Sequence, residues 1–107
     1  MNLSEPHFSN MKKKLKTVEL RLYDEKRKTI KEGDKIKFKN RNNENQSFTR
    51  KVKKLKFFSS FIDALKYTKL KNTLPNVKTY KEGEEVYYSI KGYKEKEKKL
   101  GVIAIFF

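Results

Sequence analysis

The chain has 107 residues, with 28 Lys and Arg against 13 Asp and Glu and a net charge of +15. This length supports one domain around one core, spanning 1–107. With no cysteine, disulfides, thiolate zinc sites and cysteine nucleophiles are excluded, and no apolar run approaches the ~20 residues that cross a membrane.

Residues 1–10 lack the apolar stretch of a signal peptide, so an intracellular, cytoplasmic protein is expected. Ser4 is a cap-type residue ahead of Glu5-Pro6, which predicts a short helix with Phe8 and Met11 turned inward. The lone His7 reads as a surface or capping residue. Val18, Leu20 and Leu22 then alternate with Thr17, Glu19, Arg21 and Tyr23, the period of a half-buried strand. The apolar set should face the core. The other set places a carboxylate, a guanidinium and a phenol in one row, with Lys16 at the strand entry. Such a row suits a polar ligand; it also suits a structural ion pair between Glu19 and Arg21.

Asp24 and Glu25 predict one or two helical turns, and Glu32-Gly33-Asp34 a turn. Ile36 and Phe38 alternate with Lys35, Lys37 and Lys39 in a second strand. The polar, Asn-rich stretch 40–47 reads as a hairpin loop. Phe48 to Phe58 reads as one longer strand whose apolar phase shifts, and a bulge near Lys53-Lys54 would reconcile the two halves. Ser60 and Asp63 form a capping box before a short helix, and 66–76 reads as loop. Thr79 and Glu82 cap another helix, with Gly92 placed as its C′ residue. Tyr93 to Lys99 is a charged helical turn, and Val102 to Phe107 a strand buried on both faces. Four or so strands with short helices fit a small α+β barrel.

Charge is segregated. Between Asn45 and Lys81 ten basic residues face one acid, Asp63. This points to a basic face that meets polyanions. An AT-rich genome, whose codons favour Lys and Asn, accounts for part of the excess.

Lys16-Thr17-Val18-Glu19-Leu20-Arg21-Leu22, followed by Asp24, Arg27, Ile30 and Gly33-Asp34-Lys35-Ile36-Lys37-Phe38, resembles the ASCH domain (activating-signal-cointegrator homology). That family writes G-x-K-x-x-E-x-R, a turn, then G-D and an apolar strand. The stretch from Tyr93 through Gly101-Val102 to Ile105 is similar to the family's final segment. Lys14 stands at the motif glycine, where lysine tolerates a positive φ poorly. The resemblance implies a PUA-like β-barrel of mixed strands with short peripheral helices, and an RNA-associated domain with its cleft beside the first strand. Lys16, Glu19 and Arg21 take the three charged motif positions. Some small bacterial relatives look like amidohydrolases acting on N4-acetylcytidine, using a Lys, a Thr nucleophile and a Glu. Lys16 matches the Lys, but Glu19 occupies the Thr position and no acid lies between Asp63 and Glu82.

The expected function is therefore an RNA-binding module without cofactor or metal, monomeric, whose partner is RNA or a modified nucleoside. Arg21 would contact phosphate or a base edge, with Glu19 accepting from an amine or orienting Arg21. Tyr23, Tyr87 or Tyr88 would offer stacking faces, although core packing is the plainer role for at least one of Tyr87 and Tyr88. Arg50, Lys51, Lys53 and Lys54 would supply phosphate contacts; solubility alone would also explain them. The alternative is a small hydrolase, an amidohydrolase or a ribonuclease, using Lys16 and Glu19.

Overall fold

A computed structural model describes residues 1–107. Two three-stranded sheets form its frame. In the first, β1 (Asn2–Leu3) runs parallel to β3 (Lys35–Asn40), and β3 pairs antiparallel with β4 (Asn43–Lys51). In the second, β6 (Val102–Phe106) lies between β2 (Val18–Leu22) and β5 (Lys54–Phe58), antiparallel to both. No ladder closes the two sheets into a barrel. The protein is thus an α+β fold with two sheets and five helices: α1 (His7–Lys12), α2 (Phe61–Thr68), α3 (Leu70–Thr73), α4 (Tyr80–Tyr88) and α5 (Tyr93–Leu100). None is long and apolar enough to cross a membrane.

The central position of β6 explains its unbroken apolar sequence, since both of its faces are covered. On one face its Val102 and Ala104 join Val18, Leu20 and Leu22 of β2 beneath α2 and α4, packed by Phe61, Ala64, Leu65 and Tyr87. On the other, Ile103 and Ile105 pack with Val52, Ile36, Leu55 and Tyr23. A third cluster of Leu3, Phe8, Met11 and Phe38 seats α1 on the first sheet. Gly101 enters β6 at φ 72°, and a Cβ there would lie 3.1 Å from the Phe58 carbonyl oxygen, so this entry requires glycine.

Several local expectations need correction. The phase shift at 52–54 marks no bulge. The chain leaves the first sheet after Lys51 and enters the second at Lys54, turning on the buried Val52. The Asn-rich stretch is mostly strand: only Arg41 and Asn42 form the turn, and β4 begins at Asn43. Exposed polar strands lack the alternation that betrays a buried face, which is why this one reads as loop. The 66–76 stretch carries the end of α2 and all of α3. Ser4 does not cap α1; the Glu5 carboxylate accepts from the Ser9 N–H at 2.9 Å and from its hydroxyl at 2.6 Å. Gly92 is not the C′ residue of α4, which ends at Tyr88 with Ser89 as its C-cap; it precedes α5 at φ 84°. The caps at Ser60 and Thr79 form as read, each accepting from the backbone N–H three residues on.

Candidate ligand cavity and its basic surround

The row on β2 faces the gap between the sheets, not solvent. Glu19 and Arg21 lie opposite Ile105 and Ile103 and therefore share their face. This burial forces the charges to pair. Glu19, only 5% exposed, accepts from Arg21 Nε through Oε2 at 2.7 Å and pairs through Oε1 with Lys16 Nζ at 3.1 Å. Lys16 is 1% exposed and also donates to the carbonyls of Val18 at 2.7 Å and Thr73 at 2.6 Å. Its three N–H groups are thereby all engaged. The structural ion pair foreseen as one reading of this row is formed, and Lys16 is part of it.

Electrostatics follow from this geometry. Burial pushes the Glu19 carboxyl up, but Lys16 and Arg21 outweigh it and hold Glu19 below its usual value. Burial lowers Lys16 against the pull of Glu19. Arg21 differs from Lys16 in having capacity left. Its Nη2 donates to the Asn2 carbonyl at 2.7 Å, while Nη1 has no protein partner.

Arg21, Glu19 and Lys16 line a cavity of about 250 Å³. Its wall is assembled from Asn2, Leu3 and Ser4, His7 of α1, Arg41 of the hairpin turn, Leu74, and Val86, Tyr87, Ile90 and Tyr93 around α4 and α5. Two buried polar atoms of the molecule lack hydrogen-bond partners, His7 Nδ1 and Tyr87 Oη, and both residues stand in this wall. Orphaned groups of this kind are rare in folded proteins and each costs stability. Burial lowers the His7 pKa, and burial with nearby Glu19 raises that of Tyr87 well above the usual phenol value.

A second concavity, of about 600 Å³, adjoins the first and shares Asn2, Arg21 and Arg41 with it. Six cations line it, Arg21, Lys26, Arg27, Lys35, Lys39 and Arg41, and no acid does. Arg27 is paired with Asp24 at 2.8 Å and Arg21 with Glu19. Lys26, Lys35, Lys39 and Arg41 have neither an ion pair nor a side-chain hydrogen bond.

The remaining sequence candidates fall elsewhere. Tyr23 packs edge-on against Phe57, 4.8 Å between centroids, in the small core between the sheets. Tyr87 lines the cavity, but its ring is stacked on Phe61 at 4.5 Å inside the main core. The Tyr88 hydroxyl donates to Glu97 at 2.7 Å, and Glu97, itself buried, accepts the Phe61 N–H at the start of α2. Tyr88 is thus held by structure, outside the cavity. Arg50 lies over the Phe48 ring and donates to the Lys12 carbonyl at 2.9 Å. Lys54 sits over Phe106, and Lys51 and Lys53 are exposed; none of these four borders the cavity. Sequence reasoning missed His7, whose only signal was being the single histidine, and missed the groove, whose cations come from four separate segments.

Fold and site together define a small α+β protein with a charged cavity between two sheets and a cationic groove beside it. The chain is 39% identical to hypothetical protein PH0355, whose crystal structure matches it with a TM-score of 0.84 over 99% of this chain and 93% of that one. It is also 39% identical to protein PF0455 from Pyrococcus furiosus, solved by NMR, with a TM-score of 0.76 over 99% of this chain and 91% of that one. The chain belongs to the family of these two proteins. No family model matches it, and no curated protein does.

Proposed function

We propose that the protein is an ASCH-type RNA-binding module, its two sheets forming an open version of the PUA-like barrel, with one nucleotide taken into the cavity beside β2. The observation that carries this reading is the cavity itself. Arg21, whose Nη1 has no protein partner, stands with the Lys16–Glu19 pair, His7 and Tyr87 in the wall of about 250 Å³ of space. A ligand rich in acceptors takes up the free guanidinium N–H groups, and a nucleobase edge is such a ligand. Glu19 and Lys16 act here as positioning residues that fix the Arg21 guanidinium.

The hydrolase reading has less to support it. Lys16 has no N–H free to serve a substrate, both Glu19 oxygens are paired, and Thr17 does not border the cavity. The deciding experiment is titration with short single-stranded and duplex RNA and DNA at two salt concentrations, following N4-acetylcytidine turnover in the same samples. Salt-sensitive RNA binding without turnover is expected. Turnover that disappears in Lys16→Ala or Glu19→Ala would replace this reading with the enzymatic one, and absence of both RNA binding at low salt and turnover would remove both.

A further inference from the structure

We propose that the cationic groove formed by Lys26, Lys35, Lys39 and Arg41 beside Arg21 is a track for the phosphodiester backbone of a single strand, so that the ligand is an oligonucleotide and not a free nucleoside. The proposal rests on the reading of the cavity as a base-binding site, and it adds the chemical class and the path of the ligand.

Three observations carry it. The groove holds six cations and no carboxylate, and four of those cations are unpaired. Gathering like charges in one concavity costs free energy that an anion returns. The accumulated field already acts on a neighbour: after burial, Arg21, Lys26, Lys39 and Arg27 hold the Met1 ammonium below its usual value. Lastly, the groove is continuous with the cavity through Asn2, Arg21 and Arg41. Arg21 lines both, with Nε fixed by Glu19, Nη2 on the Asn2 carbonyl and Nη1 without a protein partner. A base in the cavity thus has its neighbouring phosphates over the lysines.

The track is a different surface from the lysines of β4 and β5. Lys54 and Lys56 lie over the rings of Phe106 and Tyr67, at 4.8 and 4.3 Å, and border neither concavity.

The experiment compares an RNA octamer with the four free nucleosides and inorganic tripolyphosphate, on the wild type, on Lys26→Ala/Lys39→Ala and on Ile90→Trp. Both lysines are exposed, so the double variant folds. The double variant should bind the octamer about tenfold more weakly near ~0.15 M salt, with a salt slope shallower by ~0.7 for each lost contact. It should lose affinity for tripolyphosphate and keep its nucleoside affinity. An unchanged octamer affinity and slope would overturn the track while leaving the cavity reading in place. Ile90→Trp, which narrows the cavity at an exposed wall residue, binding the octamer like wild type, with the double variant still impaired, would overturn the cavity reading and retain the groove as a phosphate site. Competition by an acidic peptide of equal charge as effective as that of the octamer would overturn the assignment to a polynucleotide.

Discussion

Glu19 is the common partner of the two cations Lys16 and Arg21. It joins two cations on a strand face covered by a second sheet, and both of its oxygens are used. Replacing it with Gln leaves the buried Lys16 ammonium opposite a neutral amide. Removing one partner of a buried pair costs about 3–5 kcal/mol. Urea titration of Glu19→Gln should therefore show a lowered midpoint, and Lys16→Met in the same background should restore part of it. If Glu19→Gln were as stable as wild type, the triad would not be the structural element described. Tyr87 presents the opposite balance. Its ring belongs to the main core, but its hydroxyl is buried without a partner. An unsatisfied buried group costs about 1–3 kcal/mol, so Tyr87→Phe should raise stability by up to ~1 kcal/mol once compensating relaxation is counted. A less stable variant would show that the hydroxyl is satisfied in the folded protein.

Among the elements, α1 and its exit decide where Lys16 goes. The N–H groups of Leu15 and Lys16 both donate to the Asn10 carbonyl, and the chain passes through Lys14 at φ 65°. A non-glycine residue there is strained by roughly 1–2 kcal/mol, against about 0.5–1 kcal/mol of extra chain entropy for glycine. Lys14→Gly should thus stabilise by about 0.5 kcal/mol, visible as a small rise in the thermal midpoint, and a fall would show that the turn is unstrained. The packing of α4 on α2 and α3 depends on Gly83. A Cβ at this position would meet Leu65 Cδ1 at 3.0 Å, Leu70 Cδ2 at 3.2 Å and Leu74 Cδ1 at 3.4 Å. Three side chains close in at once, and Leu65 and Leu74 are fully buried, which leaves those two little room to yield. Gly83→Ala should destabilise by about 1–2 kcal/mol despite its better helix propensity, and a more stable variant would mean that the leucines repack.

For the whole molecule, the buried charges set the pH range of stability. Folded His7 holds its proton more weakly than the unfolded chain does, because burial disfavours its charge. Its contribution is complete above the usual value of 6.5 and declines as pH falls below it. Glu19 is also lowered, so its contribution is present above the usual 4.5 and disappears as pH falls through the depressed folded value. Chemical denaturation across pH should accordingly show a first decline below 6.5 and a second one below 4.5. His7→Gln should remove the first decline alone; if it persists in that variant, another group is responsible. The +15 net charge acts at this scale too, and six of the cations line one acid-free groove beside the cavity. If the proposed function holds, long-range attraction would bring a polyanion towards it.

The sequence by itself determined the local grammar. Alternation placed β2 and β3, the unbroken apolar run placed β6, and Ser60 and Thr79 marked the starts of α2 and α4. These signals are local because period and capping depend on neighbours within one turn or one pleat. The triad was also legible as residues, since Lys16, Glu19 and Arg21 sit within one strand and its entry. Their burial was not, because a single strand does not reveal what covers its second face. Only the assembled fold laid the first sheet over Ile103 and Ile105 and so enclosed Glu19. The cavity is likewise a tertiary product: His7, Arg21 and Tyr87 are brought together from α1, β2 and α4. The acid-free groove is a tertiary product for the same reason. Composition pointed to 45–81, but the groove draws on residues from 21 to 41, whose nearby acids cancel them in a running sum of charge while lying outside the groove in space. Charge counted along a chain averages over both sides of every element, and only folding separates them.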